Sequence, residues 1–405
     1  MKKLLLVVML VLAGSLFAQD DWSFKWSGMV SPQIWADSRQ VVSGREDMMA
    51  FYPMPINRDA NGKDVNAVPS LNMLSITARM ALTVTGPDVL GAKVRGYIET
   101  DFTGANNETV NMLRLRHGYL DLKWEHSELL AGQFWHPMVV HEIMPGTRPL
   151  NMGAPFHPYG RYNQLRYTGR LGRMELVAVA DFQTDNKSQG PLGSSTAYLK
   201  HSMIPESNLQ LRYAGEHFFA GAAANLLATK PYAGETGRES YNSHISYSLF
   251  MKYDFSQWSL RSQCLINSNI YEASSLGGYA VATDPLTGLH SYTPYTFTTA
   301  WADFGRTAGR WRPGLFVGFG QNNDFGERYG LEVYGRGVNI ERLYRLQPRL
   351  AYAAGNGLTL FLELEHTAVD YGRQNVSDPL ALQYESDKSC HVVNNRIVLA
   401  AAYVF

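Results

Sequence analysis

The side chains most able to do chemistry in this chain carry charge at alternate positions. Lys93 and Arg95 stand two apart, and Tyr97, Glu99 and Asp101 continue the series. Arg114 and Arg116 repeat the spacing, and Arg79, Arg166, Arg212, Arg261, Arg349 and Arg396 each fall in the polar phase of their own alternating stretch. In an extended chain, positions two apart share a face. Opposite an apolar face, such a set puts fixed positive charge into a water-filled space. Rings of arginine and lysine there attract anions and offset the cost of removing part of their water. In the inward phase basic residues outnumber acidic ones, so a slightly positive interior is expected inside a nearly neutral molecule. The alternative for any one of them is a cross-strand pair with an acid that braces the wall. For Arg79, Arg95, Arg114 and Arg116, on neighbouring stretches, the anion-selecting reading is favoured.

Other constellations lead elsewhere or nowhere. His136, His141 and Glu142 are of metal-binding type, but they lie in a proline-rich segment without helical spacing, and no metal site is expected from them. Asp59-Ala60-Asn61-Gly62-Lys63-Asp64 lacks the closing glutamate of a calcium loop and is expected to be a surface turn. There is no phosphate-binding glycine loop and no Gly-x-Ser-x-Gly elbow, so neither an enzyme nor a cofactor is expected. The chain has 36 basic and 36 acidic residues, and a leader with two lysines takes this to 34 against 36. That balance does not suggest nucleic acid as a partner. Cys264 is expected on an apolar strand face and Cys390 in a loop, unpaired.

The elements that would position these charges are β-strands. Trp258, Leu260, Cys264 and Ile266 alternate with Ser259, Arg261, Gln263 and Asn267, and Leu358, Leu360, Leu362 and Leu364 with Thr359, Phe361, Glu363 and Glu365. From Leu74 to Val84 the even positions are apolar, and Leu74 and Ile76 are expected to face lipid with the rest. Strands are predicted near 24–36, 73–86, 91–102, 112–124, 128–135, 162–169, 173–183, 206–214, 216–228, 241–254, 257–269, 297–305, 312–321, 338–353, 357–370 and 392–405, with a β-bulge near His117 where the phase flips. Connections then alternate between short and long. The expected fold is all-β: a transmembrane antiparallel barrel of about sixteen strands with short periplasmic turns and long external loops.

The ends agree with this. Lys2 and Lys3 followed by Leu4–Leu12 and a small-residue stretch to Ala18 read as a cleaved signal peptide, residues 1–18. Residues 19–405 would form one barrel domain. The chain closes on Ile397, Leu399, Ala401, Tyr403 and Phe405 in one phase. This closing stretch resembles the C-terminal strand of bacterial outer-membrane proteins, which implies that Tyr403 and Phe405 are an assembly signal for the barrel-assembly machinery. Sixteen strands enclose an aqueous channel. The segment 136–161, with prolines at 137, 145, 149, 155 and 158, is the expected constriction loop. It would bring His136, His141, Arg148, His157 and Arg161 into the lumen.

Arg114-Leu115-Arg116-His117-Gly118-Tyr119-Leu120-Asp121-Leu122, then Ala131-Gly132-Gln133-Phe134-Trp135-His136-Pro137, then Arg161-Tyr162-Asn163-Gln164-Leu165-Arg166-Tyr167 resemble consecutive signatures of the DcaP-like trimeric porins of Gram-negative bacteria. The resemblance covers roughly 70 to 185. It implies a sixteen-stranded homotrimer whose arginine-lined constriction passes small anions such as dicarboxylates; phosphate-selective porins are a near alternative. The chain departs from some members in having no N-terminal coiled-coil segment. A mature start at Gln19 also resembles export signals of Bacteroidetes. The expected function is passive diffusion of small hydrophilic solutes across the outer membrane, with lipid, the assembly machinery and small anions as partners. The rival readings are an outer-membrane barrel enzyme, a protease or phospholipase, and a non-conducting surface barrel.

Overall fold

A computed structural model describes residues 22–405 apart from 238–239, 269 and 378–380. The predicted signal peptide and its cleavage site lie outside the described residues. Sixteen strands form one closed antiparallel barrel. β1 runs Ser23–Val30 and Gln33–Asp37, β2 Ser70–Leu74 and Arg79–Thr85, β3 Lys93–Asp101, β4 Arg114–Lys123, and β5 Ser127–Trp135. β6 is Arg161–Leu171, β7 Met174–Phe182, β8 Glu206–Ala214, β9 Phe218–Thr229, β10 Asn242–Phe255, and β11 Trp258–Asn267. β12 is Phe297–Arg306, β13 Trp311–Asn322, β14 Ile340–Gly355, β15 Leu358–Gln374, and β16 Tyr384–Val404. Each strand pairs with the next, and β1 closes the barrel on β16, with Met29 opposite Val404 and Asp37 opposite Arg396.

Period two sorts the wall. On β8, Leu209 and Leu211 are exposed outward while Asn208, Gln210 and Arg212 are buried inward. Such an apolar outer face is stable only against lipid. Aromatic rings gather beside the short turns: Trp258 stacks on Phe304 at 4.9 Å, and Trp311 meets Tyr352 at a tilt with centroids 4.6 Å apart. These amphipathic rings suit the membrane–water boundary.

Two strands break where the alternation looked continuous. β1 is interrupted at Ser31–Pro32, where proline offers no N–H to the ladder. Opposite it, β2 breaks between Leu74 and Arg79, and the inward phase moves from even to odd positions. Leu74, paired with inward Gln33, therefore points into the barrel, and Ile76 is 3% exposed in an interior cluster. Both residues were expected on lipid. The bulge near His117 is present: Glu99 faces His117 and Thr100 faces Leu115, which leaves Arg116 extra. Arg116 and His117 therefore both point inward and are buried. β16 starts at Tyr384, earlier than expected, so Cys390 lies within a strand and not in a loop. Cys264 and Cys390 are both free.

The interior holds more than water. The first long loop carries a hairpin, Val41–Gly44 with Met49–Pro53, whose Met49, Ala50, Phe51 and Tyr52 are buried. Further out, Gly277–Thr283, His290–Tyr295 and Glu332–Arg336 form a small three-stranded sheet.

Candidate functional site

The segment between β5 and β6 crosses the lumen, and the wall holds it at many points. Gln210 of β8 donates to the Pro137 carbonyl at 2.9 Å, and Gln263 of β11 to that of Met138 at 3.0 Å. Arg261 donates to Met144 O at 2.8 Å. Farther round, Glu363 of β15 accepts the Arg148 backbone N–H at 2.6 Å. Arg345 of β14 reaches Ala154 O at 3.0 Å, and Thr299 of β12 reaches Phe156 O at 3.1 Å. Met138, Ile143 and Phe156 are fully buried, and each such burial stabilises by roughly 1.5–3 kcal/mol. Hydrogen-bonded carbonyls and apolar packing thus fix the segment against β8 to β15. The first-loop hairpin joins it: Asn151 donates to Ala50 O at 2.7 Å, and Arg345 to Phe51 O at 2.6 Å.

Open space runs along β2 to β6, and a separate cavity of about 310 Å³ opens on the β11–β15 side, lined by Arg261, Arg312 and Arg349. Along β2 to β6, three cavities of about 240, 310 and 490 Å³ follow one another. The first is flanked by loop residues Arg45, Lys187 and Arg336, with Arg114 and Arg161 below them. Tyr159 lines both the first and the second; Glu99, His117 and Trp135 line both the second and the third. The second, narrowed by the crossing segment, has Arg79, Arg116 and Arg148 on its walls against Glu99. The third reaches Arg170 and Glu175 beside the β6–β7 turn.

Individual placements separate the charges. Arg116 ion-pairs with Glu99 and Asp101, and Arg114 with Asp101 at 3.2 Å. Arg95 meets Asp121 at 2.7 Å, and Lys93, largely exposed at the rim, meets Asp88 at 2.9 Å. Arg212 pairs with Glu142 at 3.0 Å, and Arg349 is held by Asp303, with one bond at 2.9 Å. Arg396 pairs with Asp37 beneath the first-loop hairpin, donating also to Asp47 O at 2.8 Å. Arg166 turns to Gln164 at 2.9 Å and to the Trp135 carbonyl at 3.3 Å. His136 is fully buried against Glu206 at 2.9 Å, and His157 is buried edge-on to Trp301. His141 is half exposed next to Glu142 at 3.3 Å. Phe405 lies over Gly28, where a Cβ would come within 2.6 Å of its ring, and Tyr403 is exposed outward beside it.

Three guanidiniums stand apart. Arg79 is 3.8 Å from Glu99, which Arg116 already engages more closely. Arg148 bonds to Ser31 Oγ and packs on the Phe361 ring, with no carboxylate on its guanidinium among the described residues. Arg161 lies 3.7 Å over the Trp135 ring and donates to His117 Nε2 at 3.2 Å. Burial, and then the neighbouring Arg79, pushes the Arg148 guanidinium down to about 10. Burial alone would raise the Tyr159 phenol, but Arg161, Arg116 and Arg114 outweigh it and bring the group down to about 7. The Tyr159 shift reports a positive field from Arg161, Arg116 and Arg114, while for Arg148 the field of Arg79 only adds to burial. Tyr159, Arg45 and Arg336 were not anticipated; the apolar run Met48–Tyr52 was the available sign that the first loop turns inward.

No known sequence family and no curated protein sequence matches the chain. Solved structures do. The outer-membrane channel DcaP of Acinetobacter baumannii is 18% identical with a TM-score of 0.67, over 96% of this chain and 99% of that one. An anion-selective porin from Comamonas acidovorans is 11% identical at 0.55, over 95% and 100%, and Salmonella typhi OmpF is 10% identical at 0.55, over 95% and 98%. With its lipid-facing outer wall and charged lumen, the chain has the sixteen-stranded barrel fold of the outer-membrane porins, DcaP among them.

Proposed function

We propose that the protein is an outer-membrane porin through which small hydrophilic anions, dicarboxylates included, diffuse passively along the β2–β6 side of the lumen. The observation that carries this is the placement of Arg79, Arg148 and Arg161 around the cavities next to Tyr159, with little or no carboxylate of their own. Low-dielectric walls focus such a field, so an entering anion gains at the narrow point what it loses in hydration. A dicarboxylate can engage two of these guanidiniums in planar, bidentate geometry. Homotrimeric assembly belongs to the same proposal, since a trimer form of Vibrio cholerae OmpT shares the fold; crosslinking of the folded protein should stop at three chains. The C-terminal Tyr403 and Phe405 are proposed as the handle for the assembly machinery, and removing Phe405 should sharply lower the yield of protease-resistant barrel.

The deciding experiment is single-channel recording in a planar bilayer with a salt gradient. A reversal potential on the anion side, and proteoliposome uptake of a small dicarboxylate ahead of a neutral sugar of similar size, are expected. Cation preference would refute the anion reading. A silent bilayer would favour a barrel enzyme or a non-conducting surface protein.

A further inference from the structure

At the external end of the wall three acids lie close together with few donors, Glu272 also lining the first cavity beside Arg161 and Arg336. Asp181 closes β7, Glu206 opens β8, and the two stand opposite each other in register. Glu272 comes from the external turn Tyr271–Ala273. Asp181 and Glu206 are fully buried, and Glu272 is 6% exposed. His136, at the root of the crossing segment, donates from Nε2 to Glu206 Oε1 at 2.9 Å, and Asn225 of β9 donates to the same oxygen at 2.6 Å. His136 Nδ1 accepts the Met138 N–H at 3.3 Å, which places the ring proton on Nε2, toward Glu206. Both Asp181 oxygens, the second Glu206 oxygen and both Glu272 oxygens have no hydrogen-bond donor among the described residues. The Tyr162 hydroxyl, also fully buried, is likewise unpartnered; its ring lies 4.7 Å from that of His136.

Buried carboxylates in that state are strongly unfavourable unless a proton or a cation joins them. Tyr162 and Arg336 lie near Glu272, whereas Asp181 and Glu206 have either one shared proton or a cation to join their free oxygens. One ligand atom from each of His136, Asp181 and Glu206 falls within a 4.8 Å span, a spread compatible with a single ion. The free atoms are all oxygens, which selects a hard ion that takes six to eight of them over one that prefers nitrogen or sulfur.

We propose that Asp181 and Glu206, with Glu272 nearby on the external turn, form a binding site for a hard divalent cation, calcium being the member that fits, with His136 orienting Glu206 through the Nε2–H bond to its Oε1 and leaving the second Glu206 oxygen free. The bound ion would tie the root of the crossing segment and the external turn to β7 and β8. This reading does not rest on the anion proposal.

The test uses the folded, detergent-solubilised protein after chelator treatment. Titration with calcium chloride by calorimetry should show one ion per chain. Terbium should bind in its place, with luminescence excited through Tyr162. Asp181→Asn and Glu272→Gln should each weaken calcium binding by about tenfold or more. The temperature at which the barrel loses its compact gel mobility should fall in chelator and recover with calcium. If Asp181→Asn does not assemble, Glu272→Gln on the external turn carries the same comparison. Absence of binding at millimolar calcium, together with equal thermal stability with and without chelator, would overturn the proposal in favour of shared protons. Binding unchanged in both variants, or zinc bound in preference to calcium, would overturn it as well.

Discussion

Arginines on the two sides of the lumen do different work. Along β11 to β15, Arg261 and Arg345 direct their donors to carbonyls of the crossing segment and the first-loop hairpin, and Arg349 is locked to Asp303. Along β2 to β6, Arg79 projects into a cavity, joined by Arg148 and Arg161 from the segment and its far root. Residue type and inward phase are the same on both sides. The difference is whether a folded-in loop supplies acceptors. Where it does, guanidiniums become fasteners, although Arg261 and Arg349 also border a cavity of about 310 Å³; where it leaves a gap, as at Arg79, fewer acceptors engage the charge.

The largest test of this contrast is to replace residues 138–158 by a short Gly-Ser linker. Single-channel conductance should rise several-fold, because the second cavity loses one wall; unchanged conductance would mean the segment does not set the narrow point. Next is Arg345→Gln on the fastening side. It removes bonds to Ala154 and Phe51 and leaves Glu365, 3.3 Å away and buried, without its partner. Breaking a buried pair from one side costs about 3–5 kcal/mol, so the midpoint of urea unfolding should fall clearly while the reversal potential of the folded fraction stays put.

On the open side the expected effects reverse. Arg79→Gln with Arg148→Gln should move the reversal potential toward cations with a smaller loss of stability. The shift should shrink near 1 M salt, where screening shortens to about 3 Å; Arg345→Gln, at a buried position away from the cavities described, should leave selectivity alone. A selectivity change as large in Arg345→Gln would erase the distinction between the two sides. The smallest effect concerns pH. Tyr159 becomes negative as pH rises through about 7, so anion preference should weaken over that interval, and Tyr159→Phe should flatten the dependence. A wild-type profile that is already flat there would remove Tyr159 from the field.

Much of the barrel was readable because lipid and water impose period two on every strand. Even the bulge at Arg116 showed as a phase flip beside His117. The break in β2 did not show. Leu74 and Ile76 are apolar for the sake of the interior cluster, and hydrophobicity alone does not distinguish that cluster from lipid. The charged residues were found but not their partners. Arg396 with Asp37, or Asp181 with Glu206, meet only once strand register is set, across separations that no local pattern carries. The inward hairpin at Met49–Pro53 was signalled by its apolar run, yet a loop is not where burial is sought.

The crossing segment also has a mechanical consequence. Its ends leave from neighbouring strands, yet its anchors reach β8, β11, β12, β14 and β15, so it joins staves that the ladder of hydrogen bonds connects only through many intermediates. A thin cylinder under the sideways squeeze of a bilayer yields by flattening to an oval. A strut pinned across its bore at several heights opposes that deformation, much as spokes keep a rim true. The segment proposed to narrow the passage would therefore also keep its outline constant, and the bore could stay small without depending on the stiffness of the wall.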